Sequence, residues 1–412
     1  GEYTHAMGNS NGAMHKYIEY TEEEPRAQGG FIWDYIDQSI YKKDRYGVEF
    51  PAYGGDFGDR PNDGNFSGNG IAIGPDRAES PKMQEVKFNY QGIKLFVNGD
   101  KVKIRNKYLF TNTSEFNVYE ILYKDGKEYA KEMMTTDVEP LSEKEYKLPI
   151  EIPNVEGEFV AEVSVRLKHC TNYAKCGYEI AFGQAVVKKA DTRHFMDISQ
   201  GNEKYDYMYA SSTENAEIKP CSGKLEFVPG DYNLGVKGEH FAVLFSKMYG
   251  GLTSYKLRGV ELLKSQPRPN FWRAPVDNDR GSQLPAEKGK WKLAGDYAKC
   301  VDVKVNDNSA KSGSDRYVEV VYTYALGMDG LGEAVVSYKV FEDGFIKTTL
   351  SYEAKGENFD MPEFGMMFKT DADFDNLTWY GAGFSETYED RRSGAKLGLF
   401  NNKVEDNMAP YL

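Results

Sequence analysis

The feature that most constrains the fold of this sequence is a strand–helix–strand pattern within residues 1–40. After a first short strand, Asn9 or Ser10 can cap a helix that continues to about Glu23. The apolar run Gly29–Ile40 follows and predicts a buried second strand. Two strands joined by a helix with short connections form a βαβ unit, so we expect them to be parallel.

Both predicted strands end in polar side chains. The first strand carries Glu2, Tyr3 and His5, and the second ends in Trp33, Asp34, Asp37 and Gln38. In a (β/α)₈ barrel, such groups meet at the carboxyl ends of the strands, where catalysis takes place. The sequence therefore predicts that residues 1–92 are the C-terminal part of such a barrel, with an active site at this edge.

The next segment, 53–70, is too rich in Gly, Asp and Asn for regular structure. Its aromatic residues Tyr53, Phe57 and Phe66 favour an ordered active-site loop. Its carboxylates and amides could bind a hard cation or could cap the loop backbone: Asp56, Asp59, Asn62 and Asp63.

The pattern changes after residue 92 to short alternating strands with turn signals. Residues 93–195 predict an immunoglobulin-like β-sandwich that acts as a spacer, with a hairpin at Asp125-Gly126. Residues 196–412 predict a large antiparallel β-sandwich, incomplete at its C-terminus, with a hairpin at Asp343-Gly344. Its start at 196–220 is a linker or an edge strand. The predicted strands of the first sandwich are 103–110, 116–123, 145–152, 159–167 and 178–187. Strands dominate again from about residue 223, for example at 241–247, 317–324, 334–341 and 345–352. The fold class is thus mixed and mainly β.

Charge and cysteine content limit the partners. A net charge of −13 disfavours binding to nucleic acid or to an anionic membrane. No apolar run is long enough to span a membrane. The scattered cysteines predict free buried thiols and a reducing, cytoplasmic location, with the periplasm as the alternative: Cys170, Cys176, Cys221 and Cys300.

A carboxylate among aromatic and hydrogen-bonding side chains suits sugar chemistry. A retaining glycosidase uses two carboxylates about 5 Å apart, one as the nucleophile and one as the acid. Glu2 could be the nucleophile, and Trp33, His5 and Asn69 could bind a sugar. The alternative for Glu2 is a solvated surface charge. In Asn270–Gly281 the pair Asp277 and Asp279 could bind a metal, but satisfaction of loop amides is favoured.

Six segments, in order, resemble motifs of the large bacterial β-galactosidases of glycoside hydrolase family 2. They are EYTHAMGNS, QGGFIWDYIDQ, YGGDFGDRPNDGNFSGNG, DRAESPKMQEVK, RAPVDNDRG and WYGAGFSETYEDR. The resemblance covers nearly the whole chain. It implies a barrel, an immunoglobulin-like spacer and a large C-terminal β-sandwich, and a retaining hydrolase of terminal β-D-galactosides such as lactose.

The resemblance also implies roles for individual residues. Glu2 matches the nucleophile, and His5, Trp33 and Asn69 match galactose contacts, with Tyr3 beside them. Sodium would be bound by Asn69 and by the backbone carbonyl of Phe66. Asn62 matches a position associated with magnesium, and Gly281 matches the base of a mobile loop.

The chain also departs from the family pattern. The family's acid/base glutamate and main magnesium ligands precede the nucleophile, so we expect this chain to be a C-terminal portion that is inactive alone. The family pattern further implies a homo-oligomer. Two alternatives remain: a non-catalytic carbohydrate-binding or structural β-sandwich protein, and a family 2 hydrolase of another β-linked sugar such as a glucuronide or mannoside.

Overall fold

The computed structural model describes residues 1–190, 225–313, 316–328, 330–354, 361–409 and 411. They form two compact units, one from the described parts of 1–195 and 375–412, the other from those of 196–374. The predicted linker 196–220 lies outside the described residues, and the predicted domain boundaries stay a prediction. Within the described part, no helix combines the length and apolar character that crossing a membrane requires.

The region before residue 92 contains parallel strand segments and two covering helices. Isolated bridges pair Glu2 with Phe31 and Ile36 with Ala72, both parallel. The predicted parallel pairing is therefore confirmed, and a third parallel segment, absent from the sequence prediction, extends it. The regular elements are α1 (Met14–Glu23), β1 (Ile40–Lys43), β2 (Glu49–Ala52), a 3₁₀ turn (Gly64–Ser67), β3 (Ala72–Ile73), β4 (Ala78–Glu79) and α2 (Lys82–Asn89).

The start of α1 was predicted wrongly. The helix ends at Glu23 as expected, but it begins at Met14, and its N-cap Ala13 makes no side-chain capping bond. Asn11 and Ala13 have positive φ, so the chain before the helix is a turn. Ser10 does not cap because the helix begins only after Ala13, and the Ser10 hydroxyl bonds to the carbonyls of His5 and Met7.

The run Gly29–Ile40 is not the buried strand that was predicted. Phe31 is 80% exposed and Tyr35 is 58% exposed, whereas Ile32 packs into the small core beneath α1. Alternate residues of a strand point to opposite faces, and among the described residues only one face is covered. The apolar stripe of α1 does enter this core through Met14 and Ile18, but Tyr17 is 41% exposed.

Seven antiparallel strands form the predicted sandwich around one core. One sheet has the order β5-β6-β9 and the other β11-β10-β7-β8. The hairpin at Asp125-Gly126 is confirmed, and both residues have positive φ. The strands are β5 (Ile93–Asn98), β6 (Lys101–Asn106), β7 (Phe116–Lys124), β8 (Lys127–Met134), β9 (Ser142–Lys147), β10 (Phe159–Leu167) and β11 (Glu179–Lys188), with a 3₁₀ turn at Thr113–Glu115.

Two cysteines of this sandwich differ from expectation. Cys170 and Cys176 are exposed and joined by a disulfide, so the prediction of free buried thiols is wrong for them. They flank a tight loop between β10 and β11, which brings the two side chains together. Cys300 is free and half-buried.

The second unit contains two antiparallel sheets that share a core. One runs β12-β13-β14-β15-β16 and the other β18-β19-β20-β21, with the predicted hairpin at Asp343-Gly344 joining β20 to β21. The strands are β12 (Glu226–Pro229), β13 (Asn233–Lys237), β14 (Phe241–Ser246), β15 (Gly251–Leu257), β16 (Val260–Glu261), β17 (Ser265–Asn270), β18 (Lys299–Asp307), β19 (Tyr317–Ala325), β20 (Glu333–Phe341), β21 (Ile346–Tyr352) and β22 (Gly365–Lys369).

Three short helices interrupt this unit between β17 and β18: α3 (Asp277–Gly281), α4 (Leu284–Glu287) and α5 (Lys290–Asp296). Asp279 at the start of α3 pairs with Arg273 and accepts a hydrogen bond from the Val276 amide at 2.8 Å. These bonds support the favoured interpretation of Asp279 as a group that satisfies the loop. Two further strands, β23 (Asn376–Gly383) and β24 (Lys396–Lys403), form a hairpin that belongs to the first unit, and a 3₁₀ turn follows at Val404–Asn407.

A buried carboxylate in the sandwich supplies a test of the fold. Glu120 on β7 is 1% exposed and accepts a hydrogen bond from the Ile150 amide at 2.8 Å. Burial raises the pKa of the Glu120 carboxyl above its usual 4.5, with the charge of Glu132 adding to the effect and the Ile150 bond opposing it. The folded state therefore favours the protonated form, and stability is lost as the pH rises through the folded pKa.

We expect Glu120→Gln to raise the melting temperature near neutral pH, because the amide can keep the Ile150 bond without a buried charge. The gain should vanish below pH 4.5, where wild-type Glu120 is protonated in both states. Thermal unfolding across this pH range measures it, with exposed Glu139→Gln as the control. Equal shifts in the two variants would contradict the assignment.

Candidate active site

Three parallel strand segments carry Glu2, Tyr3 and His5 on the first, Trp33 on the second and Asn69 on the third. The Tyr3 amide donates to the Phe31 carbonyl at 2.8 Å, and the Asp34 amide donates to the Asn69 carbonyl at 2.7 Å. The Ile71 amide in turn donates to the Asp34 carbonyl at 2.9 Å. Because the segments run in the same direction, their carboxyl ends lie at the same edge. The backbone bonds thus place the segment of His5 beside that of Trp33, and the segment of Trp33 beside that of Asn69.

The first segment contains one additional residue relative to the second. Tyr3 N bonds to Phe31 O and Ala6 N bonds to Trp33 O, so three residues on one strand face two on the other. Such a bulge bends its strand and redirects side chains. Here it places His5, rather than Thr4, level with Trp33, which is 49% exposed and precedes a cis peptide bond to Asp34.

Glu2 and Tyr3 lie on opposite faces of their strand. Glu2 is exposed, beside Phe31 across the parallel bridge. Tyr3 is half-buried, and its ring lies 5.6 Å from the ring of Tyr17 on α1. Glu2 is thus available to a ligand at the open face, whereas Tyr3 supports the strand from behind. The predicted contact of Tyr3 with substrate stays a prediction.

His5 is held in one orientation by the loop that follows it. Its Nδ1 accepts a hydrogen bond from the Met7 amide at 3.3 Å. A neutral imidazole that accepts at Nδ1 has its proton on Nε2, so His5 can donate from Nε2 to a hydroxyl group. The ring also lies 5.7 Å from the ring of Phe66, which is 53% exposed.

Asn69 combines deep burial with an unsatisfied oxygen. It is 2% exposed, and its Oδ1 has no hydrogen-bond partner among the described residues. The backbone just before Asn69 is bonded to the other two segments. The Gly8 amide donates to Gly68 O at 2.9 Å, and the Gln38 amide donates to Ser67 O at 2.9 Å. A buried amide oxygen without a donor fits the needs of a hard cation, so the predicted sodium site fits Asn69.

Asn62 is arranged differently. It is exposed, its Nδ2 donates to the Asp59 carbonyl at 2.9 Å, and its Oδ1 accepts from the Gly64 amide at 3.1 Å. Asp56 and Asp59 likewise accept from loop amides at 2.9 and 3.0 Å. These residues satisfy the loop backbone, and the association of Asn62 with magnesium stays a prediction. Among the described residues there is no group of three His, Cys, Asp or Glu side chains that could hold a metal.

Two buried charged residues support the site, in a role that was not predicted from the sequence. Lys82 is 1% exposed, and its Nζ donates to the carbonyls of Ala6, at 2.7 Å, and of Gly70. Asp37 is 8% exposed and accepts from the amides of Gly70 and Gly74 at 2.6 and 2.8 Å. Lys82 lies in the segment DRAESPKMQEVK, but nothing in this local sequence shows that its lysine is buried.

Gly281 lies in the second unit, at the end of α3. A Cβ added there would meet no atom within 4 Å. Its predicted role as the base of a mobile loop stays a prediction.

Comparison with known sequences assigns the regions consistently. Residues 1–95 match the family model described as glycosyl hydrolases family 2, TIM barrel domain. Residues 102–188 match β-galactosidase, domain 4, and residues 237–412 match the β-galactosidase small chain.

Curated relatives align along nearly the whole chain. A β-galactosidase of Halalkalibacterium halodurans is 42% identical over 418 residues, which cover 100% of this chain and 38% of the relative. One of Clostridium acetobutylicum is 40% identical, covering 97% and 41%, and one of Streptococcus thermophilus is 37% identical, covering 100% and 37%. The chain thus spans about two fifths of the length of the curated relatives it matches.

The close approach at Gly70 supplies a test of the site's framework. A Cβ added to Gly70 would lie 2.1 Å from the Asp37 backbone nitrogen and 2.5 Å from the Ala72 carbonyl oxygen. We expect Gly70→Ala to destabilise this region by about 3 kcal/mol or more, because backbone atoms cannot move aside without breaking the strand pairing.

Hydrogen exchange of residues 67–74 in the complete protein measures this effect. Gly235→Ala is the control, since its Cβ would meet only Val228 atoms at 3.5 Å or more. Unchanged protection in Gly70→Ala would contradict the predicted clash.

Proposed function

Because this chain belongs to glycoside hydrolase family 2, we propose that the protein containing it is a retaining β-galactosidase, which removes terminal non-reducing β-D-galactose from substrates such as lactose. One observation carries the proposal: an exposed carboxylate, Glu2, lies beside Phe31 on the first of the barrel-type parallel strand segments. His5, Trp33 and Asn69 lie on the same set of segments.

In this mechanism Glu2 is the nucleophile. Its carboxylate attacks the anomeric carbon, the bond to the leaving oxygen breaks, and a galactosyl ester of Glu2 forms; water then hydrolyses the ester. An acid must protonate the leaving oxygen and then act as base toward the water. The neighbouring Asp34 and Asp37 accept hydrogen bonds from backbone amides. We therefore assign the acid/base role to a carboxyl group outside this chain, and we expect the chain alone to be inactive.

Sugar binding would use the open face around Glu2. Trp33 presents an exposed aromatic ring on which the apolar face of a pyranose can pack. The Nε2 proton of His5 can be donated to a sugar hydroxyl, since Nδ1 is already occupied by the Met7 amide. An apolar ring with a few oriented polar groups is the usual composition of a small-molecule site.

The unsatisfied oxygen of Asn69 supports a sodium ion at this site, with the Phe66 carbonyl as a further ligand. Such an ion would orient the hydroxyl groups of a bound sugar by accepting their lone pairs. A magnesium ion near the exposed Asn62 is part of the same proposal, and no step is assigned to it.

The remaining partner assignments are part of the same proposal. The substrate is a small neutral β-galactoside, which is compatible with the acidic net charge of −13. The complete protein is expected to be a homo-oligomer of the cytoplasm or the periplasm that binds neither nucleic acid nor membranes.

Replacing Glu2 by Gln in the complete protein should reduce turnover of an aryl β-galactoside by roughly a thousandfold or more, because the amide cannot attack the anomeric carbon. Exposed Glu23→Gln at the end of α1 is the matched control. A 2-deoxy-2-fluoro-β-galactoside with a good leaving group should label Glu2, as read by peptide mass spectrometry.

The same assay separates the alternatives. Unchanged turnover in Glu2→Gln would remove Glu2 from the chemistry. Faster turnover of a β-glucuronide or β-mannoside would replace galactose as the substrate, and sugar binding without any turnover in the wild type would support a non-catalytic binding protein.

Asn69→Ala should abolish the dependence of KM on sodium, because the variant lacks the buried amide oxygen. The measurement compares KM for the aryl galactoside in sodium and in choline buffers of equal ionic strength. Asn98→Ala, an exposed position at the end of β5, is the control. A sodium response of Asn69→Ala equal to that of the control would place the ion elsewhere.

A further inference from the structure

A tight turn between β23 and β24 packs against the loop that follows the nucleophile strand. The Ala13 amide donates to the Asp390 carbonyl at 2.6 Å, and Asn9 Nδ2 donates to the Tyr388 hydroxyl at 3.2 Å. A Cβ on Gly12 would lie 1.8 Å from the Asp390 carboxylate, so the two segments are in direct contact there. Residues 386–391 therefore cover the loop 7–13, which we call the catalytic loop.

The catalytic loop in turn fixes His5. The Asn11 amide and the Ser10 hydroxyl both donate to the His5 carbonyl, at 3.0 and 2.9 Å. The Met7 amide holds the imidazole itself through Nδ1. Asn11 is fully buried and has a positive φ, so the loop has little freedom to rearrange on its own. A displacement of the loop would move the His5 ring.

A buried arginine closes the turn. Tyr388 and Arg391 form an antiparallel bridge, and Arg391 is 2% exposed. Arg391 Nη2 donates to Glu386 Oε1 at 2.8 Å, and its guanidinium lies 5.2 Å from the centre of the Tyr388 ring. Tyr411 donates to the same Glu386 oxygen at 2.8 Å. Paired charges in such a buried setting resist rearrangement, because separation would leave one unpaired.

The same group of residues reaches the end of the nucleophile strand by a second route. Lys82 Nζ, which donates to the Ala6 carbonyl, lies 5.3 Å from the centre of the Tyr411 ring. Gln84 Nε2 donates to the Glu386 carbonyl at 3.4 Å, and the Gly394 amide donates to Glu85 at 3.0 Å. Helix α2 thus joins the turn to the strand that carries Glu2 and His5.

We propose that the turn 386–391, closed by Arg391, is a positioning element that holds the catalytic loop and His5 in place for the reaction. The inference rests on the proposed function for its catalytic part. Tyr388, Asp390 and Arg391 would be positioning residues, because they act through the loop and make no contact with Glu2 among the described residues.

The mildest test is Tyr388→Phe in the complete protein, which removes the hydroxyl at Asn9 and keeps the ring beside Arg391. We expect kcat/KM for the aryl galactoside to fall roughly tenfold, since small displacements of contacting groups are costly in catalysis. The melting temperature should not change. Hydrogen exchange at the Asn11 and Ala13 amides should become roughly tenfold faster, because the loop opens more easily.

The neighbouring Arg392→Gln is the matched control. Arg392 is 62% exposed by side chain and pairs only with exposed Glu389 among the ion pairs of the described residues. In a double-mutant cycle, Asn9→Ala and Tyr388→Phe should each have the full effect, and the double variant should be no worse than either.

Each outcome decides between the two proposals. Loop exchange and kcat/KM equal to those of Arg392→Gln would overturn the positioning role, as would a loss of melting temperature alone or additive effects in the cycle. Faster loop exchange in a protein whose wild type turns over no galactoside would instead overturn the proposed function and leave the structural role of the turn intact.

Discussion

The edge that carries the candidate active site depends on one constraint: the backbone groups at the carboxyl ends of the parallel strands are buried and must be hydrogen-bonded. Lys82 supplies donors to the carbonyls of Ala6 and Gly70, and Asp37 accepts from the amides of Gly70 and Gly74. Loss of either charge would leave buried polar groups unpaired, which costs about 1–3 kcal/mol for each group. These bonds give the short strand segments a fixed register, and the positions of Glu2, His5, Trp33 and Asn69 follow from it.

The immunoglobulin-like sandwich does more than separate two regions. Lys396, at the start of β24, pairs with Glu162 and Glu179 of the sandwich at 2.9 and 3.0 Å. Burial raises the pKa of the Glu162 carboxyl, with Lys396 opposing the shift. Tyr380 on β23 donates to Glu158 at 2.7 Å. The sandwich thus anchors both strands of the hairpin whose connecting turn covers the catalytic loop.

The sequence predicted hairpins and alternating strands well because their signals are local. The turns at Asp125-Gly126 and Asp343-Gly344 and the bounds of β10 were predicted correctly. β5 and β8 were missed. β8 reads Lys127–Met134, and most of its residues are exposed, so it shows little apolar alternation. The helix start was predicted wrongly because the chain turns at Asn11 and Ala13, which have positive φ, and local capping rules do not predict this turn.

By itself the sequence determined the parallel strand–helix–strand arrangement, the two-sheet sandwiches and, through its motifs, the family. These features depend on residue periodicity and turn chemistry, which are encoded within short stretches. Only the tertiary structure decided which buried charges hold the site. Lys82 and Ala6, or Ala13 and Asp390, are far apart in the chain and bond only because the fold brings them together. The unsatisfied oxygen of Asn69 likewise has meaning only once burial has removed water from it.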